Sequence, residues 1–260
     1  MTCLDDLKSF KSLLTAIPTM EGILSSSFFT ITASYLPVSY RQREILAPLY
    51  ACLAAHYHDP VQNNDLLPFL ETFFGDDSGR VALPSDTPRG RASFDYIISL
   101  HNAVEKLLPR TWPLVLGIPS PWCLTSEPIY FGARRALLRI QLYTEIFHQR
   151  LEDIDDWEPL RLDIRLFWSR FSSYDTFKCH HIYVTLLRPL RRRIGTDFVV
   201  TEDRECMRLR GLPLLLSFMD RSRTTSFGLQ YITLLLAQDI RAFNMDSGYG
   251  RGDCGLLSVL

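Results

Sequence analysis

The stretch LTSEPIYFGARRALLRIQLYTEIFHQ, residues 124–149, predicts a long buried α-helix. It starts with favourable residues: Ser126 is a good N-cap, Glu127 suits the positive helix end, and Pro128 is tolerated in the first turn. Apolar residues then recur at helical spacing along a wide face, namely Ile129, Ala133, Ala136, Leu137, Ile140, Tyr143 and Phe147, with Leu138, Leu142 and Ile146 beside them. A face this wide predicts a central helix that contacts several neighbours.

The polar residues of this helix divide into two groups. The first is a narrow side that we expect to face solvent, made of Arg134, Gln141, Glu145 and His148. The second is Arg135 and Arg139, which lie one turn apart and border the apolar rows. We expect these two arginines to form buried or half-buried ion pairs, with the acidic turn at 152–158 as one source of carboxylates. The residues selected as structural or interaction candidates are Arg135, Arg139, Tyr143, Trp157 and Glu158.

Helical periodicity recurs along most of the chain, and strand alternation does not. Further helices are predicted at about 4–17, 19–34, from 37 onward, 61–74, 92–108, 157–171, 174–193, from 201 onward and 225–243. Pro48 is expected to kink or split the helix that begins at Pro37. The sequence therefore predicts an all-α fold, an irregular bundle of roughly ten helices.

Two segments interrupt this pattern. Residues 75–91 are rich in Gly, Pro, Ser and Asp, which predicts an exposed loop and a candidate boundary within one α-helical domain spanning 1–243. Residues 109–125 hold four prolines and two tryptophans, so we expect an irregular strap packed over the core. The tail, 244–260, has no helical period and is predicted to be disordered or divergent.

Composition limits the classes of function. The 260 residues carry a formal net charge of −1, which gives no global argument for binding nucleic acid or an anionic membrane. Six cysteines without a C-x-x-C pair indicate free thiols in a reducing compartment. No basic start followed by an apolar core predicts a signal peptide, and no apolar run approaches the roughly 20 residues of a membrane span. We therefore expect a protein of the cytoplasm or nucleus.

The motifs that usually carry catalysis or bind a cofactor are missing from the sequence. Cys179, His180 and His181 are consecutive, and consecutive helical residues point about 100° apart, so they cannot hold one metal ion. The glycine-rich run at 248–252 follows no predicted strand, and no G-x-S-x-G elbow is present. The sequence thus predicts no catalytic residue, no cofactor and no metal.

Three hypotheses of function remain. The leading one is a non-catalytic protein-interaction scaffold with a protein partner that the sequence does not identify. The first alternative is an enzyme whose pocket lies between Trp112, Trp122 and the acidic turn at 152–158. The second is nucleic-acid binding through a run of arginines, which ordinary basic helix ends explain better: Arg188, Arg191, Arg192, Arg193, Arg204, Arg208 and Arg210.

Several segments resemble a family of uncharacterised filamentous-fungal proteins. Residues 4–37 are similar to that family's leucine-rich start, and 124–147 are similar to its arginine-rich central helix, close to R-x-x-R-A-L-Y-R-x-x-L-Y-x-x-x-F. The positions that carry the second resemblance are Ser126, Glu127, Arg135, Ala136, Leu137, Arg139, Leu142, Tyr143 and Phe147. DDWEPLRLDI (155–164) and LRGLPLLLSFM (209–219) resemble two further elements. Some members are described as F-box-like, which implies a ubiquitin-ligase adaptor, here without a clear F-box.

Overall fold

The described part of the chain is helical, in agreement with the predicted all-α class. A computed structural model describes residues 12, 16–17, 20–61, 65–75, 81, 83–115, 127–147, 157–193, 212 and 216, and none of these residues lies in a strand. Eight α-helices occupy these ranges: α1 Met20–Ser26, α2 Phe28–Tyr35, α3 Arg43–Tyr57, α4 Leu66–Phe74, α5 Arg91–Val115, α6 Glu127–Phe147, α7 Trp157–Ser169 and α8 Ser173–Arg193. A 3-10 turn, Val38–Arg41, precedes α3. The helix predicted at 225–243 and the tail 244–260 lie outside the described residues.

Two prolines mark the start and the middle of the α3 region. A helix was predicted to begin at Pro37. The structure has a 3-10 turn directly after Pro37, and the α-helix itself, α3, begins at Arg43. Of the two outcomes expected for Pro48, a kink or a split, the split is wrong, because α3 continues through Pro48 to Tyr57. A proline removes one backbone hydrogen bond, and here its ring is buried between Ala47 and Leu49, where packing offsets the loss.

The Pro/Trp-rich strap is partly helical, which corrects the prediction of an irregular segment throughout 109–125. Helix α5 continues past Pro109 and includes residues up to Val115. Thr111 lies buried in this last part and donates its hydroxyl to the carbonyl oxygen of Leu108 at 2.8 Å. Residues 116–126 lie outside the described part of the chain.

Helix α6 is the central element, as its wide apolar face predicts. It packs against α3, α5 and α8, and its most extensive contact is with α3. From Gly132 to Phe147 its residues are buried, apart from Arg134 and Arg135, which are half-buried. A helix enclosed on this many sides cannot turn its polar side chains to water, so they must find partners inside the protein.

The last helices close the bundle around α6 through aromatic contacts. The Tyr143 ring stacks on Trp168 of α7, with centroids 5.5 Å apart, and contacts Phe167 and Phe147. At the ends of α4 and α7, Arg170 donates to Glu71 at 2.9 Å.

Residues on both sides of segment 75–91 contribute to one contiguous apolar core. None of the described helices is long and apolar enough to cross a membrane.

Candidate functional site

The polar side chains of α6 reach three different neighbours. Gln141 and Glu145 face α3 and α5, Arg134 faces α5, and Arg135 with Arg139 faces α8. These contacts form a polar network inside an otherwise apolar bundle, and we take this α6 network as the candidate functional site.

Glu145 is the centre of the first group. Its Oε1 accepts hydrogen bonds from the Tyr96 hydroxyl at 2.8 Å and from Gln141 Nε2 at 2.6 Å, and its Oε2 lies 3.1 Å from His56 Nδ1. The other end of the Gln141 amide, Oε1, accepts the backbone N–H of Leu212 at 2.6 Å. The Glu145 side chain is 1% exposed and that of His56 is 30% exposed, so the imidazole separates the carboxyl group from solvent.

The predicted solvent-facing side of this helix is therefore wrong. Gln141 is fully buried and Glu145 nearly so, and the Arg134 side chain is only 11% exposed. These polar side chains bind partners inside the protein; Glu145, for example, contacts His56 of α3 and Tyr96 of α5. His148, the fourth residue of the predicted side, lies outside the described residues.

The Glu145 group contains a thiol, an imidazole and a carboxyl group, which is the composition of a cysteine-nucleophile site. Cys52 lies one turn before His56 on α3. However, the thiol is completely buried and donates to the Leu138 carbonyl oxygen at 3.4 Å. Burial and the neighbouring Glu145 raise the pKa of Cys52 well above its usual value. A buried thiol with a raised pKa is a poor nucleophile, so this geometry indicates a structural role.

Arg135 and Arg139 share one carboxylate, that of Asp175 on α8. Arg135 Nη2 lies 2.5 Å from Oδ1, and Arg139 Nη1 lies 3.1 Å from Oδ2. Burial of Asp175 opposes its ionisation, but the two guanidinium groups outweigh this and lower the pKa of the carboxyl group. The Arg139 guanidinium also lies 4.3 Å from the ring centroid of Phe171.

The expected half-buried ion pairs are thus present, but their carboxylate belongs to a residue that the sequence analysis did not select. Asp175 has one signal in the sequence, its place in the first turn of α8, where acidic residues are favoured. That position does not indicate that it faces arginines on another helix. In the acidic turn proposed as the partner, 152–158, residues 152–156 and the side chain of Glu158 lie outside the description, so this part of the prediction is not tested.

The third group links α5, α6 and the 3-10 turn. Glu105 Oε1 accepts from the Tyr40 hydroxyl at 2.8 Å and from Arg134 Nε at 2.8 Å. Burial opposes the ionisation of Glu105, but the hydrogen bonds from Arg134 and Tyr40 prevail and lower its pKa. Burial also lowers the pKa of His101, whose ring contacts that of Tyr40. Through Glu105, this group joins the 3-10 turn and α5 to the central helix, α6.

The remaining candidates divide between the core and the undescribed side chains. Tyr143 is 1% exposed and its ring packs in the aromatic cluster with Trp168, inside the bundle. Trp157 and Glu158 begin α7, and their side chains lie outside the description. The same holds for the arginine side chains at 188–193 of α8 and for residues 204–210.

The described His, Cys, Asp and Glu side chains do not form a metal site. Within the described ranges, no group of three or more His, Cys, Asp or Glu side chains is placed to hold a metal ion. Comparisons of the chain with protein-family models, with curated proteins and with solved structures found no match. The contacts of the α6 network and the surface around it are therefore the basis for a functional proposal.

Proposed function

We propose that this protein is a non-catalytic protein-interaction scaffold of the cytoplasm or nucleus. The observation that carries the proposal is that the carboxyl groups on and around α6 are each hydrogen-bonded to several side chains. Glu145, Asp175 and Glu105 each accept hydrogen bonds from two or more side chains of other elements or of α6 itself. Groups engaged in this way fix the relative positions of helices, which is the property a scaffold needs.

The distribution of reactive and apolar side chains supports the same function. Cys52 and Cys179 are completely buried, and burial raises the pKa of Cys179 to about 12. By contrast, Val38, Leu162 and Tyr174 are large apolar side chains with exposed fractions of 73%, 64% and 57%. Exposed apolar and aromatic side chains on a rigid frame are suited to contact with another protein.

An adaptor of a ubiquitin ligase is a specific form of this proposal. It is supported by the resemblance of residues 4–37 and 124–147 to fungal proteins, some of them F-box-like. In such an adaptor the α6 bundle would present a substrate protein, and a separate segment would contact the ligase. This version therefore expects two different protein partners for one chain.

Co-purification tests the proposal. The full chain, tagged and expressed in a filamentous fungus, is cross-linked in cells in several growth states, and its partners are identified by mass spectrometry. A variant in which two exposed apolar side chains are replaced, Val38→Ser with Leu162→Ser, leaves the buried network intact and is the matched comparison. We expect at least one protein to recur with the wild type and to be depleted with the variant. If no protein recurs in any growth state, the scaffold function is wrong; if ligase subunits are missing among recurrent partners, only the adaptor version is wrong.

A further inference from the structure

Helices α6 and α8 meet along a seam whose side chains are known on both sides. On α6, Gly132 and Arg135 are one turn apart on the face towards α8. On α8, Asp175 binds Arg135, and Lys178 follows one turn later, so that its amine lies 2.8 Å from the position of a Cβ on Gly132. The contacts run in opposite directions along the two helices, and the helices are therefore antiparallel here. We call the surface formed by Gly132, Arg135, Tyr174 and Lys178 the basic seam.

Among the described residues, cations outnumber carboxylates at the basic seam and immediately behind it. Arg135, Arg139 and Lys178 supply three positive charges, whereas the described residues that face one another across the seam include one carboxylate, Asp175. The Nε atoms of both arginines also have no hydrogen-bond partner within the part of the chain that the structure describes. Arg139 is the inner residue, with an 11% exposed side chain, while a quarter of the Arg135 side chain is exposed. The excess of positive charge therefore reaches the surface through Arg135 and Lys178.

An exposed aromatic ring lies next to this charge. Tyr174 is one of the most exposed large apolar side chains of the described residues, and the Lys178 amine lies 4.9 Å from its ring centroid. Tyrosine and arginine are enriched among the residues that dominate the energy of protein interfaces. Tyr174, Arg135 and Lys178 are carried on helices, so their backbone does not have to become ordered when a partner binds.

From this arrangement we infer that the basic seam is a docking surface for a carboxylate-rich segment of a partner protein. Carboxylates of that segment contact Lys178 and Arg135, and its chain packs on the Tyr174 ring. The absence of a side chain at Gly132 gives the Lys178 amine room at the seam. Complementary charge also accelerates association and makes it sensitive to salt. The inference rests on the proposed scaffold function and names the chemistry of one partner.

Fluorescence anisotropy with purified full-length protein tests the inference. The probe is a fluorescein-labelled oligo-glutamate peptide, and an oligo-glutamine peptide of the same length and a single-stranded DNA serve as comparison ligands. The test variants are Tyr174→Ala and Lys178→Glu. Their matched controls are Leu162→Ala, an exposed apolar residue on α7, and Lys106→Glu, an exposed lysine on α5. Circular dichroism confirms that all four variants keep the helical content of the wild type.

We expect the wild type to bind oligo-glutamate more tightly than the other two ligands, with affinity falling as salt increases. Each test variant should weaken this binding about tenfold or more, the loss typical of an important interface residue, and the controls should not. No binding at low salt, equal losses in the controls, or equal affinity for DNA would each overturn the inference. If the Lys178→Glu variant still co-purifies with all partners of the wild type, the scaffold function stands and the docking surface is wrong.

Discussion

Replacing Glu145 by alanine should be among the most destabilising single changes in this protein. The change leaves two donors, the Tyr96 hydroxyl and Gln141 Nε2, without the oxygen that accepts both of their hydrogen bonds. Losing a buried hydrogen-bond acceptor costs about 2 kcal/mol for each donor that it served, so the change lowers the free energy of unfolding by up to about 4 kcal/mol. That is a large fraction of the roughly 5–15 kcal/mol that stabilises a typical domain.

Urea unfolding followed by circular dichroism measures this loss. Glu145→Gln keeps one acceptor oxygen and should cost less than half as much, about 1–2 kcal/mol. Glu71→Ala is the matched control, since Glu71 forms an exposed ion pair with Arg170, and such pairs contribute about 0–1 kcal/mol. If Glu145→Ala lowers the free energy of unfolding no more than Glu71→Ala does, the hydrogen bonds of Glu145 do not stabilise the bundle.

Three further predictions concern pH, thiol reactivity and a glycine. The pKa values of Asp175 and Glu105 are lowered in the folded protein, so near their ordinary values of 3.8 and 4.5 the folded protein binds fewer protons than the unfolded chain. The stabilisation from these two carboxylates is therefore fully present above about pH 4.5 and is lost as the pH falls below it. In urea unfolding at a series of pH values, Asp175→Asn should lose less stability in acid than the wild type. The Cys179 thiol, buried and with a raised pKa, should not react with Ellman's reagent at neutral pH until denaturant is added, as followed by absorbance on a variant with this cysteine alone. Gly132→Ala should stabilise the protein by about 0.5–1 kcal/mol in urea unfolding, because alanine favours the helix and the new methyl group meets only the mobile end of Lys178.

Each of these outcomes has a direct contradiction. An acid loss of the same steepness in Asp175→Asn would show that this carboxylate does not carry the pH dependence. Rapid modification of native Cys179 would show that the α6–α8 contact opens readily. For the glycine, Gly75→Ala is the comparison: its Cβ would lie 2.5 Å from the Glu71 carbonyl oxygen, which is backbone and cannot move aside, so destabilisation is expected. A loss at Gly132 equal to that at Gly75 would contradict the argument.

The positions of most described helices were predictable because apolar spacing depends on local geometry. The expected helix at 157–171 corresponds to α7, and the expected helix at 174–193 corresponds to α8. The single helix expected at 19–34 is instead two helices, α1 and α2, and the helix expected at 61–74 begins only at Leu66. Other errors occurred at prolines. Residues 109–115 are helical although Pro109 and Pro113 disfavour a helix, since packing of α5 against its neighbours outweighs local preference.

The polar contacts were much less predictable, because they depend on helices far apart in the sequence. Gln141 and Glu145 form a polar side of α6 that is indistinguishable by spacing from a solvated side. Only the placement of His56 and Tyr96 opposite Glu145 shows that this side is internal. Arg135 and Arg139 were selected by their position beside the apolar rows, but nothing in the sequence pointed to Asp175 as their carboxylate.

The order of residues along α6 and α8 has a consequence for synthesis of the protein. The ribosome releases the arginines of α6 before it has made Asp175, which lies forty or so residues further on. Until α8 emerges, Arg135 and Arg139 of α6 have no carboxylate from Asp175, and water solvates their guanidinium groups. Helix α6 can pack on α3 and α5 as soon as it is made, but its contact with α8 forms last, when Asp175 replaces water around the two guanidinium groups.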